Sequence, residues 1–445
     1  MNIETPYPKR LAVEAVYEDA VKRVKVDRWI SRDYHDREVE RIWKKVWQVA
    51  CRQDDIPNVG DYIVYDIAHL SFIVMHSAEH EYRAYWNSCP HRARKLKEFD
   101  GHGVSELRCM YHGWAWNIDG SVKDIACKWD FPGTDGETAL VQAKADILGG
   151  FVFINPDPDC LSLQDYLGPI ADQYENAGND MAKRWKQVHV GAVLDCNWKV
   201  AQEAFLEGWH VATTHPQLVF ALDDRRQSAG RWDDFGHFMR VAPSLPTDVQ
   251  PARPTWATLT DAPQEAVDSY YDRHLNQPPT IIVEEGETAI DVIKRNAREF
   301  LRAVIGDKIA DYHDVELLGG DMVSVFPNLH PWGGLSRICY RYRPYGDNPD
   351  QCIMEVMLLS PWPEDQPKPP PAKTHWLKPG ETTLDAPELG QLCRIFMQDL
   401  ANMPYVQKGL KTNPLGYVIL SERNEAPIRH LHDLYETWMG LADGE

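Results

Sequence analysis

Two short runs constrain this chain more than any other feature: Cys89-Pro90-His91 and, after 17 intervening residues, Cys109-Met110-Tyr111-His112. Two thiols and two imidazoles meet at one place if the loops carrying them lie side by side. Soft sulfur together with borderline nitrogen suits zinc or an iron–sulfur cluster. The surrounding texture fits paired loops. From Trp47 onward, short apolar runs such as 62–65 and 71–75 alternate with Gly, Asn, Asp and His turns, which predicts a small antiparallel β-domain. That texture ends with the run 149–155, where Pro156-Asp157-Pro158-Asp159 breaks the last strand, so a boundary is placed near 160.

The division of ligands separates the two metal chemistries. A zinc finger more often has C-x-x-C in one loop and H-x-x-x-H in the other. A Rieske [2Fe-2S] centre takes one Cys and one His from each loop, with the thiolates on one iron and the imidazoles on the other. C-x-H followed by C-x-x-H fits the second. His91-Arg92 and the run from Cys109 through Gly113-Trp114-Ala115-Trp116 to Asp119-Gly120 resemble the Rieske domain of bacterial Rieske non-haem iron aromatic-ring-hydroxylating oxygenases, large (alpha) subunit. The one departure is Ala93, where that family usually has Gly. Respiratory Rieske proteins carry an extra Cys after each ligand pair, and this chain has neither.

Length and charge set the wider frame. A chain of 445 residues exceeds one ordinary core and favours two domains. With 67 acids against 47 bases the formal charge is -20, which argues against nucleic acid and anionic membrane surfaces as partners. No run of 18 apolar residues occurs, and acids stand where a signal peptide needs an apolar stretch, so a cytoplasmic location is expected. Nine cysteines, an odd number spread along the chain, predict reduced thiols.

The expected organisation is α+β. A helical arm over 1–45, with Val13, Val16, Val39, Ile42 and Trp43 at helical spacing, precedes the all-β domain over 46–160. A larger α+β catalytic domain follows over 161–445, which the resemblance implies is helix-grip-like. In the larger part, the segment from Asn197 to Pro216 reads as a helix over about 196–214, with Glu203, Glu207 and His210 on one face. His215 lies about 140° around an ideal helix from His210. Both can bind one ion only if the helix ends between them, and Thr213-Thr214 and Pro216 make an ending there plausible. Two His and a carboxylate from elsewhere form the facial triad of non-haem Fe(II), with positions left open for O2.

The resemblance extends to this segment, which is similar to the family's N-W-K…[DE]-x-[YW]-H-x-x-x-x-H motif. It implies that His210 and His215 bind the mononuclear iron. Glu207 falls at the acid position that bridges to the cluster of the neighbouring subunit, and Ala204 stands where many relatives have Asn. The run Gln398-Asp399 to Gln407-Lys408-Gly409-Leu410 resembles E-D-x7-Q-[RK]-G-[LM], which assigns Asp399 as the third ligand; Asp385 and Glu388 are weaker candidates.

The resemblance therefore implies a [2Fe-2S] cluster on Cys89, His91, Cys109 and His112 and an Fe(II) on His210, His215 and Asp399. It also implies electrons from a ferredoxin or flavin reductase, a head-to-tail homotrimer with or without a small β subunit, and O2 as co-substrate. No strand-GxGxxG-helix unit is evident, so the reductase is expected to be a separate protein. Basic Arg92, Arg94, Lys95 and Lys97 beside the cluster suit an acidic donor. Apolar residues near the triad, among them Phe205, Leu206, Val211, Leu218, Val219, Phe220, Val323, Val325, Phe326 and Leu329, favour an apolar aromatic or alicyclic substrate for mono- or cis-dihydroxylation. Oxidative O- or N-demethylation uses the same site and stays open. An electron carrier with only the Rieske centre is the alternative from another class, and it leaves nearly 300 residues without a role.

Overall fold

The computed structural model describes residues 21–171, 181–208, 210–215, 231–234, 238–242, 264, 267–268, 281–311, 322–332, 336–362, 365–422 and 425–441. Val13 and Val16 of the expected arm, and Leu218, Val219 and Phe220 of the expected pocket, lie outside these. The described part of the arm begins with strand β1 (Lys22–Lys25) and continues as two short helices, α1 (Asp27–Ile30) and α2 (Arg32–Glu38), and a wide helical turn at Val39–Trp43. The spacing of Val39, Ile42, Trp43 and Val46 turns all four into the interior, where each is 0% exposed.

Strands β2 (Gln48–Arg52), β3 (Tyr62–Ile67), β4 (Leu70–Ala78), β5 (Glu81–Trp86), β9 (Gln142–Leu148) and β10 (Phe151–Asn155) form one antiparallel sheet in the order β2-β10-β9-β5-β4-β3. Strands β6 (Glu106–Arg108), β7 (Ala115–Asn117) and β8 (Val122–Asp124) form a small second sheet beside it. The first sheet joins the main core through β2 and β10. The second encloses a separate core of Cys89, Leu107, Cys109, Trp114, Trp116 and Leu140. The cluster end is thus packed independently of the rest.

After a short helix α3 (Leu163–Leu167), the larger part is built on strands β11 (Arg184–Leu194), β12 (Arg231–Asp234), β13 (Phe238–Ala242), β14 (Met322–Val325), β15 (Leu329–Pro331), β16 (Ile338–Pro344), β17 (Cys352–Pro361) and β18 (His375–Trp376). They form a sheet in the order β12-β13-β14-β15-β16-β17-β11-β18. Against it pack α4 (Trp198–Glu203), the long α7 (Leu392–Thr412) and α8 (Ala426–Met439), while α5 (Val211–Thr214) follows α4 and α6 (Ala289–Ile305) is buried in small cores of its own. Strand β19 (Tyr417–Leu420) returns to pair antiparallel with β1, tying the arm to the C-terminal end. The molecule is therefore α+β, a small all-β unit followed by a larger mixed one. No helix among the described residues is long and apolar enough to cross a membrane.

Two charged cores hold these units together. Glu355 on β17 is clasped by Arg341 and Arg343 on β16 and by His189 on β11, and the Arg341 guanidinium also donates to backbone carbonyls of β2. On the other side of the molecule, buried Glu38 accepts from Trp198 Nε1 at 2.8 Å, from the Tyr435 hydroxyl at 2.8 Å and from Lys199. The N-W-K run thus anchors the arm. Asn197 caps α4 by accepting from the Lys199 N–H at 3.1 Å.

The expected single helix over 196–214 is two pieces, which corrects one expectation. Beyond Glu203 the backbone tightens to bonds three residues apart, Phe205 N–H to Gln202 and Leu206 N–H to Glu203, and α4 ends. Glu203 therefore does not share a helix face with Glu207 and His210. Its carboxylate instead accepts from Trp29 Nε1 at 2.9 Å and His432 Nε2 at 3.0 Å.

Candidate metal centres

The two Cys/His loops are near-copies of one another. In each, the N–H of the residue four beyond the cysteine returns to the cysteine carbonyl: Ala93 to Cys89 at 2.8 Å and Gly113 to Cys109 at 3.1 Å. Each cysteine N–H in turn bonds a carbonyl of its own loop, of Arg94 and of Trp114. Closing such a turn requires a left-handed residue at that fourth position. Gly113 supplies it with φ +79°, and Ala93 adopts it at φ +53° despite its Cβ.

Turned this way, the loops bring their donors together. Cys89 and Cys109 are buried and within hydrogen-bonding reach of one another, and the His91 and His112 ring centroids lie 4.6 Å apart. Burial pushes the Cys89 thiol up, while the N–H groups of His91 and Arg92 favour its thiolate. His91 stacks on Trp114 at 4.9 Å and meets Phe131 edge-on. Among the described residues its Nδ1 is buried without a partner, an orphaned ligand atom of the kind an iron–sulfur cluster would satisfy. The four residues fit the group.

The second centre is a corner between α5 and α7. His210 is the residue before α5 and His215 the residue after it, so a single turn of helix separates them and the chain leaves the helix at His215 with φ -119° and ψ 68°. On α7 the buried stripe Phe396, Asp399, Met403, Gln407 and Leu410 turns Asp399 toward that corner. Asp399 Oδ1 lies 2.8 Å from His215 Nε2 and 3.4 Å from His210 Nε2. One ligand atom from each of the three residues lies within 4.8 Å of the others, a spacing one ion can bridge.

Each histidine is fixed from behind. His210 Nδ1 donates to Glu207 Oε1 at 2.6 Å, and the other Glu207 oxygen accepts the His210 backbone N–H at 3.1 Å. His215 Nδ1 donates to Gln398 Oε1 at 2.9 Å. With both Nδ1 atoms committed, both Nε2 atoms are turned toward Asp399, where a metal ion would take the place of a proton. Burial lowers the His210 imidazolium's affinity for its proton, but the hydrogen bonds and charges of Asp399 and Glu207 outweigh it and lift the pKa to about 9. The corner concentrates negative potential where a cation would sit.

Gln398 was legible only as a departure from the family's acid; its position behind His215 gives it a function. Asp385 sits in a short turn capped by Thr382, and Glu388 pairs with His375, so neither reaches the corner. The apolar residues expected to line a pocket divide between faces. Leu329 stands opposite Arg341 and Val325 opposite Leu329, on the face toward Glu355, whereas Phe205 packs against Tyr340 on the face toward the helices. Around Phe205, the rings of Tyr340, Tyr342 and Phe396 lie 4.7, 6.2 and 6.1 Å away. Composition alone gave no signal for Tyr340, Tyr342 and Phe396, because they come from two elements distant in sequence, β16 and α7.

Residues 46–132 match the model of the Rieske [2Fe-2S] domain, and residues 180–441 match that of the ring hydroxylating alpha subunit (catalytic domain). The chain belongs to the ring-hydroxylating alpha-subunit family. Its cofactors are accordingly a Rieske [2Fe-2S] cluster and a mononuclear iron.

Among its relatives is the carnitine monooxygenase oxygenase subunit of Escherichia coli, 27% identical over 189 residues, or 42% of this chain and 50% of that protein. Another is the anthranilate 1,2-dioxygenase large subunit of Acinetobacter baylyi, 28% identical over 227 residues, or 48% of this chain and 47% of that protein. The matches thus span about half the length of these curated relatives. Among solved structures, a quaternary ammonium Rieske monooxygenase in complex with L-carnitine superimposes with a TM-score of 0.62 at 16% identity, covering 93% of this chain and 95% of that one. Naphthalene 1,2-dioxygenase from Rhodococcus sp. bound to indole gives 0.61 at 18% identity, covering 95% of each. At these identities the superpositions speak for the fold of the alpha subunit.

Proposed function

We propose that this alpha subunit is the terminal component of a cytoplasmic oxygenase. It takes electrons from an external ferredoxin or flavin reductase and uses O2 to mono- or cis-dihydroxylate a small ring substrate. The observation that carries this reading is the corner itself: two histidines and one carboxylate brought together, a donor set that would hold an iron and leave it able to take O2. In this reading Cys89 and Cys109 hold one iron of the cluster, His91 and His112 the other, and His210, His215 and Asp399 the mononuclear iron. The cluster supplies single electrons and the mononuclear iron binds and reduces O2.

The chain's own residues do the positioning. Glu207 holds the Nδ1 proton of His210 and keeps the ring in one tautomer; its second oxygen fixes the backbone behind that ring. It is the catalytic acid of the path between the centres, and in a head-to-tail homotrimer its partner is His112 of the neighbouring copy, with or without a small β subunit. Met110, Tyr111 and Trp129 around the cluster are 75%, 54% and 80% exposed, which suits a surface that is covered on assembly or on donor docking. Of the four basic residues near the cluster, Arg92 and Arg94 are exposed, whereas Lys95 is tied to Asp66 and Lys97 lies over the Tyr62 ring. Arg92, which lies over the Tyr111 ring, and Arg94 are thus the most exposed of the four for steering a donor. The aromatic cluster of Phe205, Tyr340, Tyr342 and Phe396 supports a ring substrate. Because carnitine monooxygenase is among the relatives, oxidation of a substrate bearing a quaternary ammonium group is the second reading.

The test is product analysis under 18O2 across ring substrates and quaternary amines. Label in a hydroxylated ring supports the main reading, label confined to an amine-derived product supports the second, and no substrate-dependent O2 uptake rejects both. Glu207→Gln is expected to retain both metals and slow single-turnover oxidation about 10- to 100-fold; unchanged turnover removes Glu207 from the path.

A further inference from the structure

On the helix-facing side of the catalytic sheet lies a pair of buried polar groups that have no hydrogen-bond partner among the described residues. His330 on β15 is 1% exposed, and neither of its ring nitrogens has a hydrogen-bond partner. Buried His76, His189 and His432 each have a ring nitrogen in a hydrogen bond, so the fold does satisfy histidines elsewhere. The ring centroid of Tyr342 lies 5.3 Å from that of His330; Tyr342 is 0% exposed and its hydroxyl is likewise unpartnered. Interior polar groups left without partners are costly, and where they persist together they mark a place where something else completes them.

Strand register fixes where that place is. His330 faces Tyr340 across β15 and β16, and Tyr342 follows two residues along, so all three project from one face. The intervening Arg341 and Arg343 project from the other and are committed to Glu355. On the first face, Tyr340 and Tyr342 pack on Phe205, five residues before His210, and Tyr340 packs on Phe396, one helical turn before Asp399. Burial holds His330 neutral, with a pKa of about 3. A neutral imidazole offers one donor and one acceptor, and a phenol offers both.

We infer that His330 and the Tyr342 hydroxyl form a neutral hydrogen-bonding pair that grips a hydroxyl or carbonyl substituent on the ring substrate, and so determine specificity. The inference rests on the oxygenase reading for the identity of the site, and it narrows the expected apolar substrate to an uncharged aromatic with one polar substituent. A site built to hydrogen-bond such a group discriminates strongly against the analogue lacking it.

The test is equilibrium binding to the purified holoprotein under anaerobic conditions, with acetophenone and ethylbenzene as probes of nearly equal shape. The wild type is expected to bind acetophenone about tenfold or more tightly than ethylbenzene. His330→Leu and Tyr342→Phe should each bring that ratio toward one, and His330→Gln should retain part of it. Cluster absorbance and circular dichroism report whether each variant is folded. A wild-type ratio near one, binding of neither probe, or a ratio that survives both variants overturns the inference. The wild-type ratio alone can do so, whatever the variants' folding. Failure of the oxygenase reading appears separately, as no O2 uptake with any substrate while the binding ratio persists.

Discussion

The two centres are built on opposite plans. Around the cluster, backbone does the work: paired turns, four residues each, close on their own cysteine carbonyls and are backed by a private core. At the iron corner, side chains do it: Glu207 and Gln398 hold two histidines from behind, and Asp399 arrives on a helix nearly 200 residues later. A backbone-held site depends on turn geometry and tolerates change in its neighbours. A side-chain-held site is only as stable as its hydrogen bonds and the packing of α7.

The sharpest way to break this contrast is to remove one donor from each. Asp399→Ala is expected to lose the mononuclear iron and reduce turnover by about 100-fold or more, with the visible spectrum of the cluster intact. Cys109→Ala should do the reverse, abolishing the cluster spectrum while iron stays at the corner. Loss of both signals from either variant, by metal analysis and absorbance, would show that the centres are not independent.

The support of His215 comes next. Gln398→Leu keeps helix and bulk but leaves Nδ1 without an acceptor, so iron affinity should fall roughly 10-fold in a chelator competition. The same loss from a substitution beside the cluster, such as Arg94→Leu, is not expected. An unchanged affinity in Gln398→Leu would mean that packing alone orients the ring.

How much of this was legible follows the same division. The cluster donors lie close together in sequence, so spacing alone exposed the site. The end of α5 was also readable, because Thr213-Thr214 and Pro216 stop a helix. Asp399 was reachable only through resemblance, since nothing local distinguishes it from any other acid on a helix. The break after Glu203 was not readable, because what accompanies it is tertiary: Trp29 and His432, far away in sequence, bind that carboxylate. His330 and Tyr342 were overlooked for a related reason, since a search for apolar lining passes over polar groups whose burial only the sheet register shows.

Glu203 gives a pH test of that tertiary contact. Burial lifts its pKa from 4.5 to about 8, against the hydrogen bond from Trp29. An acid raised on folding contributes stability that is full below its unfolded value and lost as pH climbs toward the folded one. Wild-type stability should therefore decline between about pH 4.5 and 8 through this group. Glu203→Gln removes that loss, so its stability relative to wild type should rise across the window, by up to roughly 4 to 5 kcal/mol. A pH-independent difference would contradict the assignment.

The smallest expected effect sharpens the backbone side. Ala93→Gly relieves a left-handed alanine, offset by the greater freedom of glycine when unfolded, for a net gain of about 0.5 to 1 kcal/mol in the cluster loop. Thermal bleaching of the cluster absorbance reads it, and the iron corner should not respond.

Two separate metal centres on one chain have a characteristic metal content. Iron and acid-labile sulfide analysis of the purified protein tests for it most directly. About three iron and two sulfide per chain are expected, falling to about two iron with sulfide unchanged in Asp399→Ala. About two iron and two sulfide in the wild type, unchanged by Asp399→Ala, would contradict it and leave a Rieske protein without a catalytic iron.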